Sequence, residues 1–146
     1  MNRNPGNGGP SWHVLLIGGH SGSGKTTLAK EIGLALGRAW VQADDLRLAF
    51  RRAKASFPGG AEALYYFDDD PCVWQQDPIT LRDALVQVGQ ALSAPLEAVI
   101  ENHVDTCDPI VIEGEGILPG LLRRTSVAER ATTGSVRAVF LVEPDA

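Results

Sequence analysis

LLIGGHSGSGKTTLAKEIG, residues Leu15 to Gly33, sets an apolar run against a glycine-rich turn and then against a segment with helical spacing. Within it, Gly19-His20-Ser21-Gly22-Ser23-Gly24-Lys25-Thr26 matches G-x-x-x-x-G-K-S/T, the pattern of a loop that wraps polyphosphate. The residue types follow from the chemistry of such a ligand. Polyphosphate is bulky and polyanionic, so the loop must turn several backbone N–H groups inward at once, and its tightest points admit no side chain. A helix starting at Lys25 and Thr26 aims its N-terminal N–H groups and the positive end of its dipole at the same phosphates. Lys25, read as a solvent-facing loop residue, adds a full charge for the β- and γ-phosphates, and Thr26 offers a hydroxyl to Mg²⁺. The candidate ATP-binding residues are Gly19, His20, Ser21, Gly22, Ser23, Gly24, Lys25, Thr26 and Thr27, with His20 a spacer rather than an acid or base.

The flanking pattern has the right context for that loop. Residues 12–19, WHVLLIGG, read as a strand buried on both faces. Leu28, Ile32, Ala35 and Leu36 then share one helical face, and Gly37 is the expected C-cap. Residues 39–45, AWVQADD, read as a second strand ending in two carboxylates, followed by a helix over 46–55 with a basic face that FPGG at 57–60 breaks. The aromatic-rich segment up to Gln76 has no clear period and reads as irregular or helical cover. Asp77-Pro78 is an N-cap with proline at the first helical position. Leu81, Leu85, Val88 and Leu92 recur on one face of the helix that follows, with Pro95 expected to kink or split it before Leu96, Val99, Ile100 and His103 continue the stripe. Residues 109–114 form a third strand, 116–130 a helical stretch broken at Pro119-Gly120, and 135–143 a fourth strand. This alternation predicts an α/β fold, a three-layer sandwich around a mainly parallel sheet.

In such sheets ligands bind beyond the carboxyl ends of the strands, where Lys25, Asp44 and Glu113 would share one cleft as the candidate catalytic residues. Asp44 has the position of a general base for an acceptor hydroxyl, or of an N-cap for the helix after it. Asp45 reads as the cap or a solvated neighbour. Arg47 either holds the acceptor or is a solvated helix residue. Glu113 ends the apolar IVIE strand and would orient Mg²⁺ through water, or form a salt bridge. Glu115 lies in EGEG, whose glycines either bring backbone close to ligand or simply make the turn. Tyr65, Tyr66, Phe67 and Trp74, with Phe57, read as core rather than as pocket lining.

Length and composition set the outer bounds. The chain has 146 residues, enough for one domain, and is 44% hydrophobic and 21% charged. A polar, Gly/Pro-rich leader over 1–11 precedes a domain over 12–146, and no apolar run is long enough for a membrane span. A formal net charge of -5 argues against nucleic acid as the partner. Cys72 and Cys107 have no metal-ligand spacing and read as packing residues, which fits a reducing cytoplasm.

With these residues in view, the chain resembles the P-loop kinases that phosphorylate small molecules, and most closely the group containing 2-phosphoglycerate kinase and related small ATP-dependent kinases. The resemblance rests on LIGGHSGSGKTTLAKEIGLALG, VQADDLRLAF and VIEGEGILPGLL, the last followed by VRAVFLVEPD. It implies an ATP- and Mg²⁺-dependent transfer of the γ-phosphate to a small-molecule hydroxyl. Asp44, Arg47 and Glu115 would stand at the acceptor, and Thr26 and Glu113 at the metal. Where 2-phosphoglycerate kinases have a histidine shortly after Glu-Gly, this chain has Gly116. The resemblance also implies an arginine-bearing lid and a last strand beyond the FLVEPD strand. The expectation is therefore of a C-terminally short domain, with weak ATP binding, poor transfer and self-association through an unpaired sheet edge. A nucleotide-binding module without turnover, and a nucleoside, antibiotic or sugar-nucleotide phosphotransferase, are the alternative readings.

Overall fold

The computed structural model describes residues 11–56 and 62–143. The leader up to residue 10, the FPGG break and Phe57 lie outside that range. The architecture is α/β. Four strands, β1 (Val14–Gly19), β2 (Ala39–Gln42), β3 (Ile110–Glu113) and β4 (Val136–Leu141), form one sheet of order β2-β3-β1-β4 in which every pairing is parallel. Among the described residues, β2 and β4 each have one strand neighbour, so both outer edges are open. No helix among them is long and apolar enough to cross a membrane.

Strand alternation sorts the core into two layers. Leu15, Ile17 and Val111 point to one face, where they pack with Ala29 of helix α1 (Lys25–Leu36). Val14, Leu16, Ile110 and Ile112 point to the other, where the long helix α4 (Pro78–Asp105) supplies Val88, Leu92, Leu96 and Ile100. Val127 of α5 (Thr125–Thr132) joins the same layer. The chain moves outward from β1 to β2 through α1 on the first face and returns to β3 through α4 on the second. Reversing direction and face together keeps the crossovers of one hand.

Several local expectations are corrected. The second strand ends at Gln42, and helix α2 (Ala43–Arg52) begins at once, so Asp44 and Asp45 lie in its first turn rather than at the end of a strand. The N-cap is Gln42, with no side-chain cap bond, and Asp45 is exposed. Acidic side chains near the positive end of α2 account for their place there. On α1, Leu28 and Ile32 of the expected face pack on the sheet with Ala29 and Gly33 buried beside them, while Ala35 and Leu36 are exposed.

Pro95 does not split α4. The helix runs unbroken for 28 residues, and the stripe Ala84, Val88, Leu92, Leu96 and Ile100 is buried while Leu85 is 37% exposed. Asp77 caps α4 as expected, accepting from the amides of Ile79 and Thr80. The Thr80 hydroxyl and then its amide, both donating to the Asp77 carboxylate, hold that carboxyl below its usual range. At its other end α4 closes with Asp108 N–H bonded to His103 O and Cys107 N–H to Val104 O, with Cys107 at φ 54°, a left-handed closure usually made by glycine. Cys107 and Cys72 are both exposed, so neither is a packing residue.

The cover between α2 and α4 is a 3₁₀ turn Glu62–Tyr65, a four-residue helix α3 (Tyr66–Asp69) and a second 3₁₀ turn Val73–Gln75. Tyr65 and Phe67 pack on the core, whereas Trp74 stacks on Phe67 at 4.9 Å from the outside and is 66% exposed. The expected helix over 116–130 is a 3₁₀ turn, Pro119–Arg123, followed by α5.

Leu92 and Leu85 lie on one stripe by sequence but on opposite sides of the burial boundary. Leu92→Ala is expected to lower unfolding free energy by about 2–5 kcal/mol through lost burial and a residual cavity. Leu85→Ala is expected to stay within about 0.5 kcal/mol. Urea titration of the two variants measures the contrast, and equal losses would contradict the packing described.

Candidate functional site

The loop between β1 and α1 is shaped by backbone conformation. Gly22 and Gly24 have φ of 79° and 87°, in the left-handed region that side chains disfavour. Gly24 is the N-cap of α1, with no side-chain cap bond and no acidic residue in the first turn. The first amide to bond back is Leu28 N–H, to Gly24 O at 3.0 Å. The helix start is therefore left open to an external acceptor. Inside the loop, the carbonyl of His20 accepts from Ser23 N–H at 3.3 Å and from Lys25 Nζ at 2.6 Å. Lys25 does not face solvent as expected. It is buried, 7% exposed, with its ammonium folded onto that carbonyl. Ser23 Oγ is buried in the loop with no hydrogen-bond partner.

Sheet register brings the remaining groups to the loop. Glu113 pairs with Ile17 of β1 on one side and Gln42 of β2 on the other, so the last residues of β2 and β3 form a row beside the loop. Glu113 is 3% exposed, and its Oε1 accepts from the Thr26 hydroxyl at 2.7 Å. A hydroxyl that donates to Glu113 keeps its lone pairs free to face a cation.

A cavity of about 460 Å³ opens here. Ser21, Gly22, Gly24, Lys25, Thr26 and Thr27 line its loop side, and Gln42, Asp44, Glu113 and Glu115 line the other. Lys25 at the start of α1, Asp44 in the first turn of α2 and Glu113 at the end of β3 thus line one cleft. Gly19, His20 and Ser23 belong to the loop but do not line the cavity. The His20 ring turns back, with Nδ1 2.6 Å from Ser21 O and Nε2 3.7 Å from Glu143 Oε1. Arg47 is also outside the lining, with its Nε 3.5 Å from Asp44 Oδ1 one helical turn away. Gln42 was missed by motif reasoning, although its place at the carboxyl end of a parallel strand is the general signal for a lining residue.

The glycines around Glu115 are needed for close packing. A Cβ on Gly114 would stand 2.8 Å from the Cβ of Ala43, and one on Gly116 would stand 2.8 Å from Leu92 Cδ1. They let the turn after β3 sit against α2 and α4, which holds Glu115 at the cavity rim.

The donors fit a magnesium–polyphosphate ligand. Thr26 and Glu113 offer hard oxygens, the open helix start and Lys25 offer N–H groups, and Ser23 Oγ has a bond to spare. Among the described residues no cluster of three or more His, Cys, Asp or Glu side chains stands ready to hold a metal alone.

No protein-family model matches the chain, and no curated protein matches it. Among solved structures, shikimate kinase from Acinetobacter baumannii in complex with shikimate is 15% identical, with a TM-score of 0.44 over 92% of this chain and 58% of that one. A gluconokinase from Sinorhizobium meliloti 1021 is 16% identical, with a TM-score of 0.32 over 90% of this chain and 83% of that one. The chain spans 58% of the length of the shikimate kinase it is similar to.

Proposed function

We propose that the chain is an ATP- and Mg²⁺-dependent phosphotransferase that moves the γ-phosphate of ATP to a hydroxyl of a small molecule. The observation that carries this reading is the meeting, in one cavity, of the glycine loop with its uncapped helix, the Thr26–Glu113 pair and the Asp44 carboxylate. The loop amides and Lys25 bind the phosphate chain, with Lys25 Nζ exchanging the neutral carbonyl of His20 for phosphate oxygens. Thr26, and Glu113 through water, would hold Mg²⁺, which would supply positive charge against the phosphates. Asp44 orients the acceptor hydroxyl and takes its proton as the oxygen–phosphorus bond forms and ADP departs.

A second reading, nucleotide binding without efficient turnover, is favoured by one observation. Lys25 is the sole cation among the described lining residues. An arginine over the γ-phosphate contributes about 10³ to 10⁵ in rate in related chemistry, and the lining residues include none. Self-association through the open edge of β4 belongs to the same proposal, because an unpaired strand is a template for another.

Lys25→Ala is expected to reduce MgATP affinity at least about tenfold, the scale of a charged hydrogen bond. The fold should survive, because His20 O retains the Ser23 amide. Calorimetry with MgATP, alongside circular dichroism of the variant, measures both; undiminished affinity would contradict the phosphate-binding role. Asp44→Asn is expected to leave ATP affinity in place and slow transfer by about 10²-fold or more, the scale of a lost general base. A coupled ADP-release assay measures it, and an unchanged rate would leave Asp44 as a first-turn acid of α2 and nothing more.

A further inference from the structure

The side of the cavity away from the loop is lined by Gln42, Asp44, Glu113 and Glu115, three carboxylates and an amide. The nucleotide phosphates claim Lys25, the one cation among the described lining residues, and Glu113 is taken up by Thr26. What remains for an acceptor is Asp44, Glu115 and the Gln42 amide. The basic residues nearest in the chain stand outside the lining, and the Arg47 Nε beside Asp44 is buried without a hydrogen-bond partner. Arg47 lies against Asp44 at 3.5 Å, Arg51 pairs with Asp68, and Arg52 and Lys54 are exposed; none of the four lines the cavity. The start of α2, which would otherwise attract an anion, already has Asp44 and Asp45 in its first turn.

Resting on the kinase reading above, we infer that the acceptor is a polyhydroxylated small molecule with no negative charge, and that an amine-bearing one is preferred. Two carboxylates accept hydrogen bonds from vicinal hydroxyls, and the Gln42 amide can donate or accept. A protonated amine adds attraction to Asp44 and Glu115. A carboxylate or phosphate on the acceptor meets like charge from both, with no cation in the lining left to offset it.

The test presents the full chain with MgATP and three acceptor panels at equal concentration: amino sugars and aminocyclitols, uncharged sugars and cyclitols, and hydroxy acids with sugar phosphates. Product is identified by mass spectrometry, and MgATP affinity is measured separately by calorimetry. Turnover of amine-bearing acceptors at least tenfold above that of the anionic panel, with uncharged polyols between, is the expected result. A hydroxy acid or sugar phosphate turned over as fast as the best amine would overturn the inference while leaving the kinase reading standing. ATP binding with no acceptor phosphorylated in any panel would overturn both. Glu115→Gln supplies a second measurement. It should raise KM for amine-bearing acceptors about tenfold relative to uncharged ones, with MgATP affinity unchanged. An unaltered ratio would overturn the assignment of charge selection to this wall.

Discussion

The ammonium of Lys25 lies 2.6 Å from the carbonyl oxygen of His20 in a loop that leaves the residue 7% exposed, and the rest of the site is arranged around that contact. A carbonyl offers a dipole, not a counter-charge, so a cation withdrawn from water there is only partly compensated. A few ångströms of chain away, Thr26 holds Glu113, a carboxylate 3% exposed, by a neutral hydroxyl. The cleft thus contains a buried cation and a buried anion, each held by an uncharged partner. An anionic chain carrying its own divalent cation satisfies both at once: phosphate oxygens for Lys25, and a metal beside Thr26 and Glu113. Neither demand alone is specific to a nucleotide. Their coincidence at an uncapped helix start is the ground on which polyphosphate is proposed as the ligand.

The sheet makes that coincidence possible. β1 and β3 are the inner strands and run parallel, so the loop after one and the carboxylate ending the other emerge at the same edge. The chain leaves β1 for β2 by one face and comes back to β3 by the other, which opens a crevice between the two inner strands at their carboxyl ends. Helix α2 enters this crevice because β2 stops at Gln42. The close contact of Gly114 with Ala43 then fixes α2 against the turn after β3. Packing of Gly116 on Leu92 ties the same turn to the core beneath. Asp44 and Glu115 therefore owe their positions to close approaches: a side chain at 114 would collide with Ala43, and one at 116 would force Leu92 to shift.

Sequence carried the loop, the parallel α/β layout and the place of Glu113 at the end of a strand, because each depends on local residue type and on period. It failed where tertiary contact decides. Leu85 obeys helical spacing as well as Val88 does, yet the sheet reaches only the stripe that begins at Ala84. Pro95 removes one amide from a helix of 28 residues, and packing of Leu92, Leu96 and Ile100 on the sheet holds the helix through it. Asp44 and Asp45 read as a strand end because Trp40 and Val41 before them are strand formers, whereas the turn into α2 comes three residues earlier. The burial of Lys25 and the withdrawal of Arg47 from the cavity were invisible to spacing, since both depend on where a long, flexible side chain finds its partner. The glycines of EGEG were ambiguous for the same reason: only the positions of Ala43 and Leu92 reveal that they serve packing.

The central claim is that the buried cation and the open helix start grip a phosphate chain, so affinity should reside in phosphate and not in the base or sugar. Competition calorimetry with ATP, inorganic triphosphate and adenosine, each with and without Mg²⁺, tests this directly. The account predicts that triphosphate displaces ATP, that adenosine does not, and that removing Mg²⁺ weakens ATP binding. Adenosine binding as tightly as ATP, with triphosphate inert, would contradict it.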